Sequence, residues 1–119
     1  MVLCRGFVSC DVLLIQTTLP GDWMELLVGE FELNLLDAGA ACVQHHKVQS
    51  MYRWEGDVHS ESEWRLLIKL SASAFEAVTT RLRHEHPYDV PEVLSWSVNS
   101  NHEYGEWVSA VFLGVEKHS

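Results

Sequence analysis

The chain has 119 residues, 47% of them hydrophobic and 21% charged, so it can bury one core of domain size. Its 17 acidic and 8 basic side chains give a formal net charge of −9. This balance excludes the clustered basic surface that nucleic acids and anionic membranes require of their partners.

The chain divides into one domain with two short ends. We assign residues 1–10 to an N-terminal tail or a strand lead-in. A single domain is expected over residues 11–114, because no linker, repeat or low-complexity stretch interrupts this range. Residues 115–119 are predicted to form a C-terminal tail.

An apolar run and then a helical periodicity mark the first two elements. Val12–Ile15 predicts a buried central strand that a turn at Pro20-Gly21 closes. Asp22 and Glu25 have the spacing of a capping box, which predicts the start of a helix. Gly39 is expected to end this helix. Five apolar side chains share its predicted inward stripe: Met24, Leu27, Val28, Phe31 and Leu35.

The other face of this helix is acidic and carries no lysine or arginine. Its carboxylates belong to Glu25, Glu30, Glu32 and Asp37. We interpret this face as solvated, and docking of a partner protein is the alternative.

Two long alternating runs predict a hairpin that reaches beyond the core of one subunit. Its arms are Ala41–Trp54 and Asp57–Leu70, joined by Glu55-Gly56. Alternation is typical of strands with two unlike faces, and Gly56 supplies the positive φ that a tight turn requires. Each arm is longer than the roughly 5–6 residues of a typical strand. We infer that the hairpin serves assembly.

The second half of the chain predicts a helix, a strand and a final helix. Ser73 and Glu76 form a second capping box, and Pro87 is expected to end the helix that follows. This helix directs inward Phe75, Val78 and Leu82. Val93–Val98 continues as a strand. The final short helix presents Tyr104, Trp107, Val108, Val111 and Phe112.

The predicted order is therefore β-α-β-β-α-β with an additional C-terminal helix. This order is that of the α+β, ferredoxin-like plan, in which two helices cover one face of an antiparallel sheet.

The cysteines indicate a reducing compartment. Cys4, Cys10 and Cys42 are odd in number and include no Cys-x-x-Cys pair, so a disulfide framework is not expected. Cys42 enters a strand from an alanine-rich stretch and is interpreted as an inert thiol. No clear signal peptide or sufficiently long apolar span is present. We predict a cytoplasmic protein without membrane insertion.

Six short motifs are distributed over about residues 11 to 113: Thr17-Thr18 with Pro20, Ala40–Val43, Ser50–Gly56, Ile68-Lys69, His86–Glu92, and Tyr104 with Trp107. In order and spacing they resemble the motifs of the CutA family, the divalent-ion tolerance proteins. Departures from the family pattern at Gly39 and at Ser95-Trp96-Ser97 mark a divergent member.

The resemblance implies a ferredoxin-like subunit in a tight homotrimer, in which the long hairpins extend the sheets of neighbouring subunits. Tyr52 and Trp54 are then the residues expected at the trimer interface. This agrees with the length of the hairpin arms, since unpaired strand edges recruit a partner strand.

The resemblance also implies a metal site, with a divalent metal such as copper as its ion and with no other cofactor. The family positions described as copper ligands are occupied here by Thr17, Glu63 and Glu85, and His86 lies next to them. We predict Glu63, Glu85 and His86 as ligands of a weakened site, because the soft thiolate is absent. The alternative is that His86 packs at a helix end and holds the turn.

An enzyme is not expected, because the sequence has no phosphate-binding glycine loop, nucleophile elbow or zinc-protease helix. The function that the resemblance implies is tolerance of divalent ions by a non-catalytic trimer. The alternative is a trimeric scaffold that binds an unidentified protein partner or a small molecule at clefts between subunits.

Overall fold

The computed structural model describes the backbone of residues 8–113 and the side chains of residues 12–111. Its elements are β1 Val8–Pro20, α1 Glu25–Ala38, β2 Cys42–Trp54, β3 Asp57–Ser71, α2 Phe75–Glu85, β4 Leu94–Ser100 and α3 His102–Leu113. The predicted order of strands and helices is confirmed. Residues 8–10 belong to β1, while the predicted tails at residues 1–7 and 115–119 lie outside the described residues.

The four strands form one antiparallel sheet in the order β2-β3-β1-β4, which is the ferredoxin-like order. The first strand is central, as predicted, with β3 on one side and β4 on the other. No helix within residues 8–113 is long and apolar enough to cross a membrane.

The core lies between the sheet and the helices α1 and α2. Alternate side chains of the two central strands meet the helices, and each is fully buried: Ile15, Leu19, Leu66, Ile68 and Leu70. The helices contribute Val28, Phe31, Leu35, Val78 and Leu82. The third helix packs against β1 and β3, where the Lys69 ammonium lies 5.9 Å from the ring centroid of Tyr104.

The hairpin extends well past the rest of the sheet. Its arms pair from Cys42 with Lys69 to Trp54 with Asp57, whereas the pairing of β1 with β3 ends at Glu63. The distal part is therefore a two-stranded ribbon, which is marginally stable by itself. Both turn residues have positive φ, 51° at Glu55 and 87° at Gly56, which matches the twist of a tight hairpin.

Both predicted capping boxes are wrong. Helix α1 has Met24 as its N-cap, and no side chain caps it. Ser73 lies within a 3-10 turn, Ala72–Ala74, and α2 begins at Phe75, directly after this turn. A side chain caps a helix from the N-cap position. Asp22 lies two residues before the N-cap Met24, and Ser73 lies inside the 3-10 turn, so neither residue occupies that position.

The predicted inward stripe of α1 is wrong at its first two members. Met24 is 68% exposed and Leu27 is 44% exposed, whereas Val28, Phe31 and Leu35 are buried. The predicted helix ends are correct: Gly39 follows α1 with a φ of 125° and α2 ends before Pro87.

Candidate functional site

A cleft of about 710 Å³ runs along the hairpin, from Glu63 at its base to Trp54 near its end. It is lined by Thr18, Ser50, Met51, Tyr52, Trp54, Glu61, Glu63, Pro87, Tyr88, Asp89, Val90 and Glu92. Four of these described residues are carboxylates and three are aromatic, and none is a lysine, arginine or histidine. The cleft is therefore acidic with aromatic walls, and its charge disfavours anionic ligands.

Glu63 lies in this cleft at the point where β1 ends, opposite Pro20. The hydroxyl of Tyr88 donates a hydrogen bond of 2.8 Å to Oε2 of Glu63. Burial, and then this hydrogen bond, raise the pKa of Tyr88 well above its ordinary value. The hydroxyl stays protonated over the physiological range and occupies one oxygen of the carboxylate.

His86 is fixed at both ring nitrogens. Its Nδ1 accepts a hydrogen bond of 3.1 Å from the peptide N–H of Tyr88. A peptide N–H can only donate, so the neutral ring carries its proton on Nε2, which lies 3.0 Å from Oγ1 of Thr17. Burial lowers the pKa of His86, against a smaller opposing effect of the Thr18 backbone. His86 therefore holds the turn after α2 onto β1.

Glu85 is directed towards α1 rather than into the cleft. Its Oε1 accepts a hydrogen bond of 2.5 Å from Nδ2 of Asn34. Its Oε2 lies 3.4 Å from a guanidinium nitrogen of Arg81, one turn earlier in α2. Glu85 thus links α1 with α2 and does not line the cleft that contains Glu63.

The three predicted ligands do not converge within one subunit. Neither ring nitrogen of His86 has a free lone pair, and Glu85 is already paired with a cation. Among the residues that the structure describes, no three histidine, cysteine, aspartate or glutamate side chains are arranged to hold a metal ion. As the structure places them within one subunit, these three side chains do not form a copper site, and the ligand set Glu63, Glu85 and His86 stays a prediction.

A hydrogen-bonded network of polar side chains beside the cleft was not predicted from the sequence. The guanidinium of Arg65 donates a hydrogen bond of 2.6 Å to Oε1 of Gln16. The amide of Gln16 then donates a hydrogen bond of 2.8 Å to Oε2 of Glu92. Gln16 is the signal in the sequence that could have indicated this network, because a glutamine in a central strand needs hydrogen-bond partners for its amide.

The two predicted interface residues lie near the end of the hairpin. Trp54 is 50% exposed and forms the last pair of the ladder, with Asp57. Tyr52 donates a hydrogen bond of 2.6 Å to Glu61, and its ring stacks on that of His59 at 5.4 Å. Neither aromatic ring belongs to the core of its own subunit. Their role in assembly stays a prediction.

A histidine bridge between β2 and α1 was also not predicted. His45 Nε2 lies 2.8 Å from Glu25, and its Nδ1 lies 2.8 Å from Glu32. The hydrogen bond with Glu25, and then that with Glu32, raise the pKa of His45. The imidazolium, which can donate from both nitrogens, is therefore the form that this site favours.

We expect His45→Gln to lower stability by about 1 kcal/mol at pH 5.5 and by less at pH 9. A raised pKa in the folded state gives stability that is complete below the unfolded pKa of about 6.5 and is lost as the pH rises through the folded pKa. Urea unfolding at the two pH values measures it. His46→Gln, at an exposed residue of the same strand, is the control. An equal loss at both pH values would contradict the bridge.

The fold and the cleft define a small ferredoxin-like α+β protein with a long hairpin and an acidic cleft beside it. The chain belongs to the CutA1 divalent ion tolerance protein family, which matches residues 31–111. The family recognised from the sequence motifs is thereby confirmed.

Named relatives and solved structures agree with this assignment. The divalent-cation tolerance protein CutA of Pectobacterium atrosepticum is 36% identical over 104 residues, which cover 85% of this chain and 92% of that protein. CutA from Synechococcus elongatus PCC7942 has a TM-score of 0.79 at 26% identity, covering 90% and 96% of the two chains. The PII-like protein CutA from Nostoc sp. PCC 7120 has a TM-score of 0.74 at 31% identity, covering 84% and 96%.

Proposed function

We propose that this chain acts as a homotrimer in the tolerance of divalent metal ions and catalyses no reaction. The role in tolerance is supported by membership of the CutA1 family and by the name of the Pectobacterium relative. The proposed location is the cytoplasm, which rests on the cysteine pattern of the sequence.

The observation that best supports the proposed trimer is the distal two-stranded ribbon of the hairpin. Among the described residues no third strand pairs with this ribbon, and at least half of the surface of several of its apolar side chains is exposed. These are Met51, Trp54 and Val58, at 75%, 50% and 62% exposure. Open strand edges and exposed apolar surface are both relieved when neighbouring subunits complete the sheet. A closed threefold ring satisfies every hairpin at once.

Metal binding by this chain is proposed to be weak. A site from Glu63, Glu85 and His86 requires Glu85 to leave Arg81 and His86 to give up a hydrogen bond. We expect calorimetric titration with Cu²⁺ and Zn²⁺ to give dissociation constants above about 100 μM, a free energy weaker than about −5.5 kcal/mol.

The matched variants are Glu63→Gln and His86→Gln, each titrated in parallel with the unaltered protein. Both are expected to change the affinity by less than about twofold. A tight site that His86→Gln abolishes would show that the subunits rearrange to assemble the predicted ligands, and would overturn the proposal of weak binding.

A second function, a trimeric scaffold that binds a protein partner or a small molecule, is favoured by the size of the cleft. Its volume of about 710 Å³ is of the order that small-molecule sites occupy. The same titrations bear on this second function. Tight binding of an ion that depends on Glu63 would indicate a direct role of the cleft in metal binding. Weak binding that is indifferent to Glu63, which we expect, means that the cleft does not act by holding a metal ion and leaves it open to a protein partner or a small molecule.

A further inference from the structure

Helix α1 carries a second apolar stripe that the described residues of its own subunit leave uncovered. Leu26, Leu33 and Leu36 are 72%, 63% and 40% exposed, and Gly29 lies between them. At about 100° per residue, the spacing of three, four and three residues places them along one line of the helix. This line is nearly opposite the buried stripe of Val28, Phe31 and Leu35. A helix that faces only solvent gains nothing from these leucines.

The leucine stripe forms one wall of a groove of about 590 Å³ between α1 and the edge strand β2. Val43 and His45 of β2 contribute to the groove. The glycine at position 29 leaves the middle of the stripe open, because nothing lies within 4 Å of the place where its Cβ would stand. A side chain from outside can therefore enter at this point.

Carboxylates flank the leucine stripe on both sides. Glu25 and Glu32 lie on the side of β2, where His45 fixes their positions. By the helical period, Glu30 and Asp37 lie on the other side, the latter 3.2 Å from Arg81. The helix contains no lysine or arginine. The apolar stripe thus lies between two rows of carboxylates, whose four negative charges are only partly offset by His45 and Arg81.

We infer that the leucine stripe of α1 binds an amphipathic helix of a partner protein, with apolar side chains three or four residues apart and with lysine or arginine on either side of them. The apolar face of such a helix fills the groove, as in other helix-in-groove complexes. Its basic flanks complement the two rows of carboxylates, which favour fast and specific association.

The charge on α1 argues against other occupants. A second copy of the same surface brings like charges together around the leucines, which opposes a symmetric contact. An anionic lipid surface is repelled for the same reason. The groove lies away from the distal ribbon, since Val43 and Trp54 are at opposite ends of β2, roughly 35 Å apart along the strand.

The probe is a fluorescein-labelled 16-residue helical peptide with leucine at i, i+3, i+7 and i+10 and lysine at the flanking positions. Fluorescence anisotropy with the full-length protein measures its affinity. A scrambled peptide of identical composition has the same charge without the stripe, and it corrects for the general attraction between a basic peptide and an acidic protein. We expect the patterned peptide to bind at least tenfold more tightly than the scrambled one.

Two pairs of variants locate the contact. Leu33→Ser is expected to weaken binding of the patterned peptide about tenfold, whereas Leu33→Met, which retains the apolar volume, keeps most of it. Glu30→Lys is expected to weaken binding and to reduce its dependence on salt. Glu103→Lys, the same charge reversal at an exposed position of α3, is the control. Light scattering confirms that each variant keeps the oligomeric mass of the unaltered protein.

Equal binding of the two peptides, or unchanged affinity in Leu33→Ser, would overturn the inference. If the protein associates further with itself and Leu33→Ser abolishes this association, the stripe is assigned to a second copy of this chain. A gain in peptide affinity on removal of residues 2–7 would assign it to the N-terminal segment of the chain. Either result would overturn the inference that the leucine stripe binds a helix of a partner protein.

Discussion

Replacing Trp54 with glutamate is expected to convert a particle of about 41 kDa, three copies of the 13.6 kDa chain, into the single chain. Trp54 is half exposed at the end of a ribbon to which residues 8–113 add no third strand. In the proposed trimer its ring is buried between subunits, where an aromatic residue contributes much of the association energy. A carboxylate there loses that contact and must be desolvated without a partner. We expect the association constant to fall by at least about a thousandfold.

Light scattering coupled to size exclusion measures the change at a fixed protein concentration. Trp54→Phe keeps an aromatic ring and is expected to keep the trimer. Met24→Glu introduces the same charge at a residue that is 68% exposed outside the hairpin, and it is expected to leave the mass unchanged. A 13.6 kDa mass for the unaltered protein would remove the premise of the trimer. A trimer that survives Trp54→Glu would place the interface elsewhere.

The hairpin could be predicted from the sequence because its determinants are local. Alternation sets which side chains share a face, and the two turn residues fix the register of both arms. The observed arms, Cys42–Trp54 and Asp57–Ser71, differ from the predicted ones by one residue at their outer ends. The order of strands and helices could also be predicted, because each stretch of apolar periodicity is long enough to distinguish the period of a strand from that of a helix.

The helix starts and the solvent face of α1 could not be predicted in this way. A capping box such as Ser73 with Glu76 is a spacing of residue types, and whether it caps depends on the path by which the chain enters the helix. Leucines occur on two faces of α1, so a search for one apolar stripe joined Leu27 to the buried set. Only the packing shows that Leu26 and Leu33 form a second face.

Individual residues of the candidate site could be selected from the sequence, but the hydrogen bonds and ion pairs that they form could not. Glu63 lies in the cleft, yet its partner Tyr88 comes from a loop 25 residues away, and Thr17 and His86 are 69 residues apart. No local pattern specifies such contacts. The pairing of Glu85 with Arg81 is the exception, because a spacing of four residues on a helix brings opposite charges together. This spacing by itself argues against Glu85 as a metal ligand, since a carboxylate that is paired with a guanidinium is less free to bind an ion.

The base of the hairpin also depends on a glycine whose role the sequence does not reveal. A Cβ on Gly21 would stand 2.1 Å from the carbonyl oxygen of Ser62 and 2.4 Å from its carbonyl carbon. Both atoms belong to the backbone, so no side-chain rotation relieves the contact. We expect Gly21→Ala to lower the free energy of unfolding by about 3 kcal/mol, because β3 must shift away from the end of β1. The neighbouring Glu63 moves with it.

Gly29→Ala is the matched control, because the same methyl group meets nothing within 4 Å on the exposed side of α1. Alanine is the better helix former by about 1 kcal/mol, so this variant is expected to stabilise the protein. Urea unfolding at equal protein concentration compares the two, since the stability of an oligomer depends on concentration. The opposite signs follow from the backbone contact at Gly21 and from the helix propensity of alanine at the open position of Gly29. A Gly21→Ala protein as stable as the unaltered one would contradict the close contact between the end of β1 and the return arm of the hairpin.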